Sequence, residues 1–330
     1  MSPTDLRTTP KIDRSRNITR SSLFVLVLFF FGFILTLTAC QRQSADDTVS
    51  SDAPRARELV DLDDRILDYA RRPEGRSGYR PPNEEQREDL ARGVGHLIDG
   101  DAGKAEKVLG DAGFRVTRLT DTDSGRRYDE VAARSSDGRA ARWGRLYLNA
   151  DAAVRWSVQV PHPVTDRNTE ALGSRLLEST PGGALVLAGA HRTAGRGDTA
   201  DVAHRTDSVF HAVVTELQKR NVPGVQLHGF AESSKRPYDA ILSTGAMQTA
   251  PGEATLLADL MENSGLRVCR GWSDQCPLEG VTNVQGREAQ RRQSTFLHVE
   301  LAPRARGGGN DAPEARAALI GLLESWNSRA

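Results

Sequence analysis

The sequence lacks several features that mark other classes of protein. Its 330 residues contain 44 Lys and Arg against 44 Asp and Glu, so there is no excess of positive charge to attract nucleic acid. No Gly-x-Ser-x-Gly sequence, the elbow that carries the nucleophile of many serine hydrolases, is present. Internal repeats and long low-complexity tracts are also missing. Nucleic-acid binding is therefore set aside. A metal-free hydrolase with Ser243 or Ser208 as nucleophile is only a minor alternative.

Cysteine is scarce as well, with three residues in the whole chain. Two of them, Cys269 and Cys276, flank the six residues RGWSDQ. A Cys-x₆-Cys pair alone is a poor zinc signature. In an oxidising compartment the two residues are expected to form a disulfide that closes this loop.

The third cysteine, Cys40, follows a segment with the pattern of a secretion signal. Residues 1–22 carry mostly basic charges, and an apolar run of 17 residues follows from Leu23 to Ala39. This length is short for a spanning helix but suits the core of a signal peptide. The run ends in Leu37-Thr38-Ala39-Cys40, which resembles the lipidation site of bacterial lipoproteins.

That resemblance implies a signal peptide over residues 1–40 and a lipid, such as palmitate, on Cys40. The protein would then be attached by this lipid to the outer face of the cell membrane. An uncleaved membrane anchor is the alternative. Both interpretations place residues 41–330 outside the cytoplasm.

The rest of the chain divides into four regions. Residues 41–56 are rich in Ser and Asp without an apolar period, which predicts a flexible tether. Residues 57–153 predict helices followed by short antiparallel strands. Residues 154–303 alternate apolar strands with amphipathic helices. Residues 304–330 begin with a Gly-rich linker and end in a helix.

This order predicts an α/β fold in which a mostly parallel mixed sheet has helices on both faces. A small helical and antiparallel β region precedes it. Asp207 is predicted as the N-cap of the helix in SVFHAVVTELQKR. The segment that follows LRVCRGW is predicted to be a long loop that ends at about Gln293.

Three polar residues lie where apolar strands end or within the last strand. His162 follows the strand in RWSVQV, His228 ends the strand in GVQLHGF, and Glu300 lies in FLHVEL. In an open α/β sheet, functional groups collect beyond the carboxyl ends of the strands. Two histidines and a carboxylate suit a catalytic zinc ion, and a further buried glutamate suits a base that activates water.

Each of these residues also has a simpler explanation. A buried carboxylate such as Glu300 could form an ion pair with one of the many arginines. A lone histidine at the end of a strand, such as His228, is more often a core residue with its hydrogen bonds satisfied. His96 and His211 fall on predicted helices and are expected to have no functional role.

The order of these residues is similar to that of zinc carboxypeptidases. It also resembles their relatives with the phosphorylase/hydrolase-like fold, the poly-γ-glutamate hydrolases and the N-formylglutamate amidohydrolases. The resemblance covers residues 154–303 and implies a zinc ion held by His162, Glu170 and His228, with Glu300 as the catalytic base. The chain departs from the usual spacing, since Asp166 and Glu170 follow His162 by four and eight residues where the family has a glutamate after three. Asp166 therefore stays open as the alternative ligand.

The resemblance implies hydrolysis of an amide bond in a peptide-like substrate, such as a γ-glutamyl polymer or a cell-wall peptide. A substrate carboxylate would require an arginine, for which Arg192 is the first candidate and Arg287 the second. His191 and His204 are candidates for further contacts with the substrate. The alternative function is a cell-envelope lipoprotein that keeps the fold and binds its ligand without catalysis.

Overall fold

A computed structural model describes residues 56–72, 79–134, 142–247 and 249–329. The predicted signal peptide and the lipid site at Cys40 lie outside the described residues. Within the described part, no helix is both long enough and apolar enough to span a bilayer.

The described residues form an α/β fold. The helices are α1 (Leu62–Ala70), α2 (Glu84–Ile98), α3 (Ala102–Asp111), α4 (Thr169–Ser179), α5 (Val209–Lys219), α6 (Gly252–Asn263), α7 (Val284–Arg292) and α8 (Ala312–Asn327). The strands are β1 (Glu58–Val60), β2 (Phe114–Asp121), β3 (Arg127–Ala133), β4 (Arg145–Asn149), β5 (Trp156–Val160), β6 (Gly183–Leu187), β7 (Gly224–Gly229), β8 (Ala240–Ser243), β9 (Val268–Arg270) and β10 (Phe296–Leu301).

All ten strands belong to one mixed sheet with the order β1-β2-β3-β4-β6-β5-β7-β10-β8-β9. The four central strands β6, β5, β7 and β10 are mutually parallel. The antiparallel strands β2, β3 and β4 extend the same sheet, because β4 pairs with β6 in antiparallel register. The predicted α/β fold class, with its mixed sheet, is confirmed.

Helices cover both faces of the sheet, as the alternation of elements predicts. On one face Leu172, Leu257 and Leu319, from α4, α6 and α8, share a buried core with the strands. On the other face Leu90 and Val213, from α2 and α5, belong to a second core. The sheet is thus buried on both sides, which is typical of parallel strands linked by helices.

Two local predictions are wrong. Ser208, not Asp207, is the N-cap of α5, because its hydroxyl accepts a hydrogen bond from the His211 amide at 3.0 Å while Asp207 pairs with Arg205. The loop predicted to reach Gln293 contains α7. The sequence of α7, VQGREAQRR, has almost no apolar residues and hence no apolar period to recognise.

The two cysteines of the β9 region, Cys269 and Cys276, form a disulfide with Cα atoms 5.9 Å apart. This distance lies in the ordinary range for the bond. The pair therefore has a structural explanation and leaves no thiolate to hold a metal ion.

Strand alternation gives the sheet a polar strip at its centre. On β7 and β10 the residues Val225, Leu227, Leu297 and Val299 belong to the core shared with α4, α6 and α8. The alternate residues face the other way. Among these, His228 is directly opposite Glu300, and Gln226 is opposite His298.

Candidate metal centre

Three of the predicted residues meet beyond the carboxyl end of β5. His162 lies just after β5, Asp166 lies in the loop before α4, and His228 is near the end of β7. One oxygen of Asp166, Oδ2, is 3.3 Å from Nδ1 of His162 and 3.2 Å from Nδ1 of His228. The ligand atoms of the three side chains lie within 4.8 Å of one another.

The carboxylate in this cluster belongs to Asp166 and not to Glu170. The Glu170 carboxylate is 3.2 Å from Nε of Arg71 and also accepts a hydrogen bond from the Val164 amide. Those two contacts hold the Glu170 carboxylate in place beside the first turn of α4. Of the two carboxylates that the spacing leaves open, the geometry thus favours Asp166 as a ligand.

The loop that carries Asp166 has unusual backbone geometry. Val164 and Asn168, two residues before and after it, have φ values of 66° and 68°. Valine is β-branched and avoids this left-handed region, so its conformation costs free energy that the rest of the fold must supply. Such strain is common where a loop holds a functional side chain in place.

A second carboxylate, Asp201, lies behind His162. Its Oδ1 is 2.8 Å from Nε2 of His162, and its Oδ2 accepts a hydrogen bond from Arg192 at 2.6 Å. His204 is 3.3 Å from the same oxygen. No sequence pattern indicates Asp201, because it lies in an irregular loop 39 residues after His162 and nothing local connects the two.

Arg192 belongs to the cluster, but its guanidinium is already engaged. Besides its bond to Asp201, its NH1 is 3.4 Å from Nδ1 of His162. Arg192 therefore holds Asp201 and His162 in place, which leaves it poorly suited to the predicted role of binding a substrate carboxylate.

The charges of the cluster follow from burial and from these contacts. Burial favours the neutral form of Asp166 and Asp201, but hydrogen bonds to the histidines outweigh it and lower the pKa of both carboxyls. Burial likewise opposes protonation of His162, yet its bonds to Asp166 and Asp201 raise its pKa. For His228, burial dominates and lowers the pKa. Two carboxylates thus stay ionised beside two buried imidazoles.

Glu300 lies on the neighbouring strand β10 and is 9% exposed. Burial, and secondly the charge of Asp166, raise the pKa of its carboxyl to about 8. Among the described residues, no arginine lies within ion-pair distance of this carboxylate, so the simpler explanation for Glu300, an ion pair, has no support. Its neighbour His298 stacks on His228 at 4.5 Å between ring centroids, and within the described chain its Nδ1 has no hydrogen-bond partner.

Arg306 is a functional candidate that no sequence pattern indicates. It is 5% exposed, and its NH2 donates to the Phe230 carbonyl at 2.8 Å. Its NH1 has no hydrogen-bond partner in the described part of the chain. The guanidinium packs on Gly229, where a Cβ atom would lie 1.2 Å from NH1, so a larger residue at this position would displace the guanidinium. Burial lowers its pKa, while Asp166, Glu300 and Glu170 raise it, which places a cation near the carboxylates of the site.

The other predicted residues lie at the edge of the cluster or away from it. The half-exposed His204 contacts Asp201 and has its Nε2 3.3 Å from the Thr282 hydroxyl. His191 has its Nδ1 2.9 Å from the Thr193 hydroxyl. Arg287 is on α7 and donates to the Val281 carbonyl, and no contact within the described residues joins it to the cluster.

The donor set fits a divalent ion of the zinc type. His162 offers its Nε2 proton to Asp201, and His228 offers its Nε2 proton to the Gln226 side-chain oxygen at 2.9 Å. The two Nδ1 atoms then point at the same oxygen of Asp166. A divalent ion at this point would bind both nitrogens and that oxygen. Imidazoles whose second nitrogen is held by an acceptor are the usual zinc ligands.

Comparison with known proteins finds similar folds only. No family model matches the sequence, and no curated protein is recognisably similar to it. A metallo-carboxypeptidase from Burkholderia cenocepacia is similar over 74% of this chain and 70% of its own, with 10% identity and a TM-score of 0.35. A putative carboxypeptidase A from Shewanella denitrificans has 13% identity over 75% of this chain and 69% of its own, with a TM-score of 0.36. A succinylglutamate desuccinylase/aspartoacylase from Rhodobacter sphaeroides has 12% identity over 61% of this chain and 63% of its own, with a TM-score of 0.36.

Proposed function

We propose that the protein is a zinc-dependent hydrolase of amide bonds that acts outside the cytoplasm, attached to the membrane by a lipid on Cys40. The observation that carries the catalytic part is the convergence of two Nδ1 atoms on one Asp166 oxygen, at 3.3 and 3.2 Å. The support for the location is the lipoprotein-like sequence that ends at Cys40. His162, Asp166 and His228 would hold the ion.

The ion, when bound, would supply a Lewis acid that activates water and the scissile carbonyl. The chain's own contribution is the general base. Glu300 takes a proton from the attacking water and later gives it to the leaving nitrogen. Its buried setting makes the carboxylate a stronger base than an exposed one, and proton transfer of this kind contributes typically about 10²–10⁴-fold.

Arg306 is the residue best placed to stabilise negative charge in the reaction. Its NH1 has no partner within the described chain, and its NH2 is fixed by Phe230. A buried donor in a fixed position stabilises charge that develops in the transition state, because the surroundings need not rearrange. We therefore assign to Arg306 the anion contact that was predicted for Arg192.

Metal analysis of the purified full-length chain tests this proposal. Wild-type protein should bind about one zinc ion per chain at nanomolar free zinc, while Asp166→Ala and His228→Ala should bind almost none at that concentration. His96→Ala is the matched control, because this histidine lies on α2 away from the cluster. Equal zinc content in His228→Ala and wild type would refute the ligand assignment.

A binding protein without turnover is the second candidate, and one observation favours it. His162 and His228 are only 2% and 5% exposed, so a substrate has little access to an ion held between them. Assays of the zinc-loaded protein on γ-glutamyl and cell-wall peptides separate the two functions. Zinc binding together with peptide binding but no cleavage would favour the non-catalytic function.

A further inference from the structure

A layer of buried amide side chains lies beneath the candidate metal centre. Gln159, Gln226, Asn283 and Gln285 are all at most 2% exposed. Burying an amide without hydrogen bonds is costly, so four in one place must satisfy one another. Gln226 is the member that contacts the site, because its Oε1 is 2.9 Å from Nε2 of His228.

Hydrogen bonds from the backbone fix the orientation of the Asn283 side chain, and Asn283 in turn fixes that of Gln226. Asn283 is the N-cap of α7, and its Oδ1 accepts hydrogen bonds from the amides of Gln285 and Gly286, both at 3.0 Å. Its Nδ2 must then face the other way, where it donates to Oε1 of Gln226 at 2.5 Å. The Gln226 atom next to His228 is therefore an acceptor.

The other end of the layer fixes the same orientation independently. Gln285 donates through Nε2 to the Val202 carbonyl at 2.9 Å, so its Oε1 faces Gln226. Nε2 of Gln226 donates to Oε1 of Gln285 at 3.4 Å and to Oε1 of Gln159 at 3.1 Å. If the Gln226 amide were rotated by 180°, donors would face donors on one side and acceptors would face acceptors on the other.

We propose that Gln226, oriented by Asn283, is a positioning residue that keeps the proton of His228 on Nε2 and its lone pair on Nδ1, toward Asp166. Gln226 presents only an oxygen to His228 Nε2, so it binds this nitrogen only when the nitrogen carries the hydrogen. In the metal-free protein the ionised Asp166 oxygen, 3.2 Å from Nδ1, competes for that hydrogen, and an ion bound at Nδ1 removes the competition. This inference rests on the proposed function for the role of the ion, but the orientation of the Gln226 amide needs no metal.

One consequence concerns the number of ions. His228 belongs to two groups of possible ligands, one with His162 and Asp166 and one with His298 and Glu300. With Nε2 held by Gln226, His228 has a single lone pair to offer. His228 can therefore bind an ion in only one of the two groups at a time.

The main test replaces Gln226 with methionine, which has a similar volume but no oxygen to accept from Nε2. Zinc affinity is measured by competition with a chromophoric chelator. We expect a loss of about 10–100-fold, the usual cost of removing a partner that orients a ligand. Gln159→Met is the matched control: it removes an equally buried amide of the same layer that does not touch His228. Its zinc affinity should change less than threefold.

The tautomer is measured directly by ¹⁵N NMR of the metal-free full-length Asp166→Ala chain labelled at histidine, in which the competing acceptor at Nδ1 is removed. His228→Ala identifies the His228 signals. Asp166→Ala should show the hydrogen on Nε2, and the same chain with Gln226→Met should show a mixture of tautomers. Asn283→Asp provides a second variant in case Gln226→Met does not fold. It keeps the oxygen that caps α7 but presents an acceptor to Gln226, and it should also weaken zinc binding although it touches no ligand.

Several results would overturn the inference. They are a His228 that carries its hydrogen on Nδ1 in Asp166→Ala, a tautomer that Gln226→Met and Asn283→Asp leave unchanged in that chain, or equal losses of zinc affinity in Gln226→Met and Gln159→Met. Wild-type protein that binds no zinc, while His228 carries its hydrogen on Nε2 in Asp166→Ala, would instead refute the proposed function. The two failures are thus distinguishable.

Discussion

The sharpest prediction concerns which carboxylate binds the metal, because the spacing leaves Asp166 and Glu170 open and the structure separates them. The Asp166 oxygen touches both histidines, whereas the Glu170 carboxylate faces Arg71 and the Val164 amide. Asp166→Asn should therefore abolish tight zinc binding. Glu170→Gln should leave zinc binding almost unchanged.

The magnitude follows from the number of ligands. Protein zinc sites bind with roughly 10–16 kcal/mol at neutral pH, and about 4 kcal/mol is a third of the middle of that range. Loss of one ligand of three should thus weaken binding by about 10³-fold, since about 1.4 kcal/mol is a factor of ten. The two histidines would remain, so weak binding at high zinc concentration is expected to persist.

Glu170→Gln has a different expected cost. Its carboxylate is 3% exposed and its partner Arg71 is 49% exposed, so the ion pair is half open to solvent. The substitution keeps an oxygen that can accept from Val164, and a loss of about 1 kcal/mol in unfolding free energy is expected. Chelator competition and urea unfolding, applied to both variants, check the two predictions together. A 10³-fold loss of zinc affinity in Glu170→Gln, with normal affinity in Asp166→Asn, would refute the assignment.

Three further predictions address the rest of the site and the pH dependence of stability. Glu300→Gln should bind zinc normally and lose about 10²–10⁴-fold in turnover on any substrate identified, because the substitution removes the proposed general base. Normal turnover in this variant would contradict that role. Gly229→Ala should displace the Arg306 guanidinium and break its hydrogen bond to the Phe230 carbonyl. Loss of that bond should lower the free energy of unfolding by about 1.5–3 kcal/mol, which thermal unfolding measures. Gly252→Ala is the control, because a Cβ atom at Gly252 would have no other atom within 4 Å. Glu178→Gln should stabilise the protein at pH 8 but not at pH 4. Burial, and then the charges of Asp63 and Asp121, raise the pKa of the Glu178 carboxyl to about 7. Because the folded state binds this proton more tightly than the unfolded state, stability falls as the pH rises from about 4.5 to about 7. A gain of about 1–2 kcal/mol at pH 8 is expected once solvent access is allowed for, and an equal gain at both pH values would exclude this cause.

The residues of the site that lie on strands could be predicted from the sequence, because strand periodicity is local. The alternation of β7 and β10 places His228 and Glu300 on one face of the sheet, and parallel pairing places them opposite each other. His162 follows the neighbouring strand β5 and so comes to the same edge. These positions follow from apolar patterns within six to ten residues.

The residues of the site that lie in loops could not be predicted in the same way. Asp201 reaches His162 from a loop with no periodic pattern, and Arg306 reaches Phe230 from 76 residues further along the chain. The loop that leads from Asp166 to Glu170 has left-handed backbone geometry at Val164 and Asn168. Val164 gives no sequence signal for that geometry, since β-branched residues avoid it, and Asn168 gives only a weak one.

The same strand alternation connects the site to the stability of the fold. Leu227 and Val299 are fully buried in the core on one side of the sheet, while His228 and Glu300, one residue later in each strand, form the site on the other. A slip of one residue between β7 and β10 would place apolar side chains in the site and imidazole and carboxylate groups in the core. The cost of burying those groups without partners, several kcal/mol each, excludes the slipped register. The apolar residues of these strands thus fix the positions of the catalytic candidates without touching them.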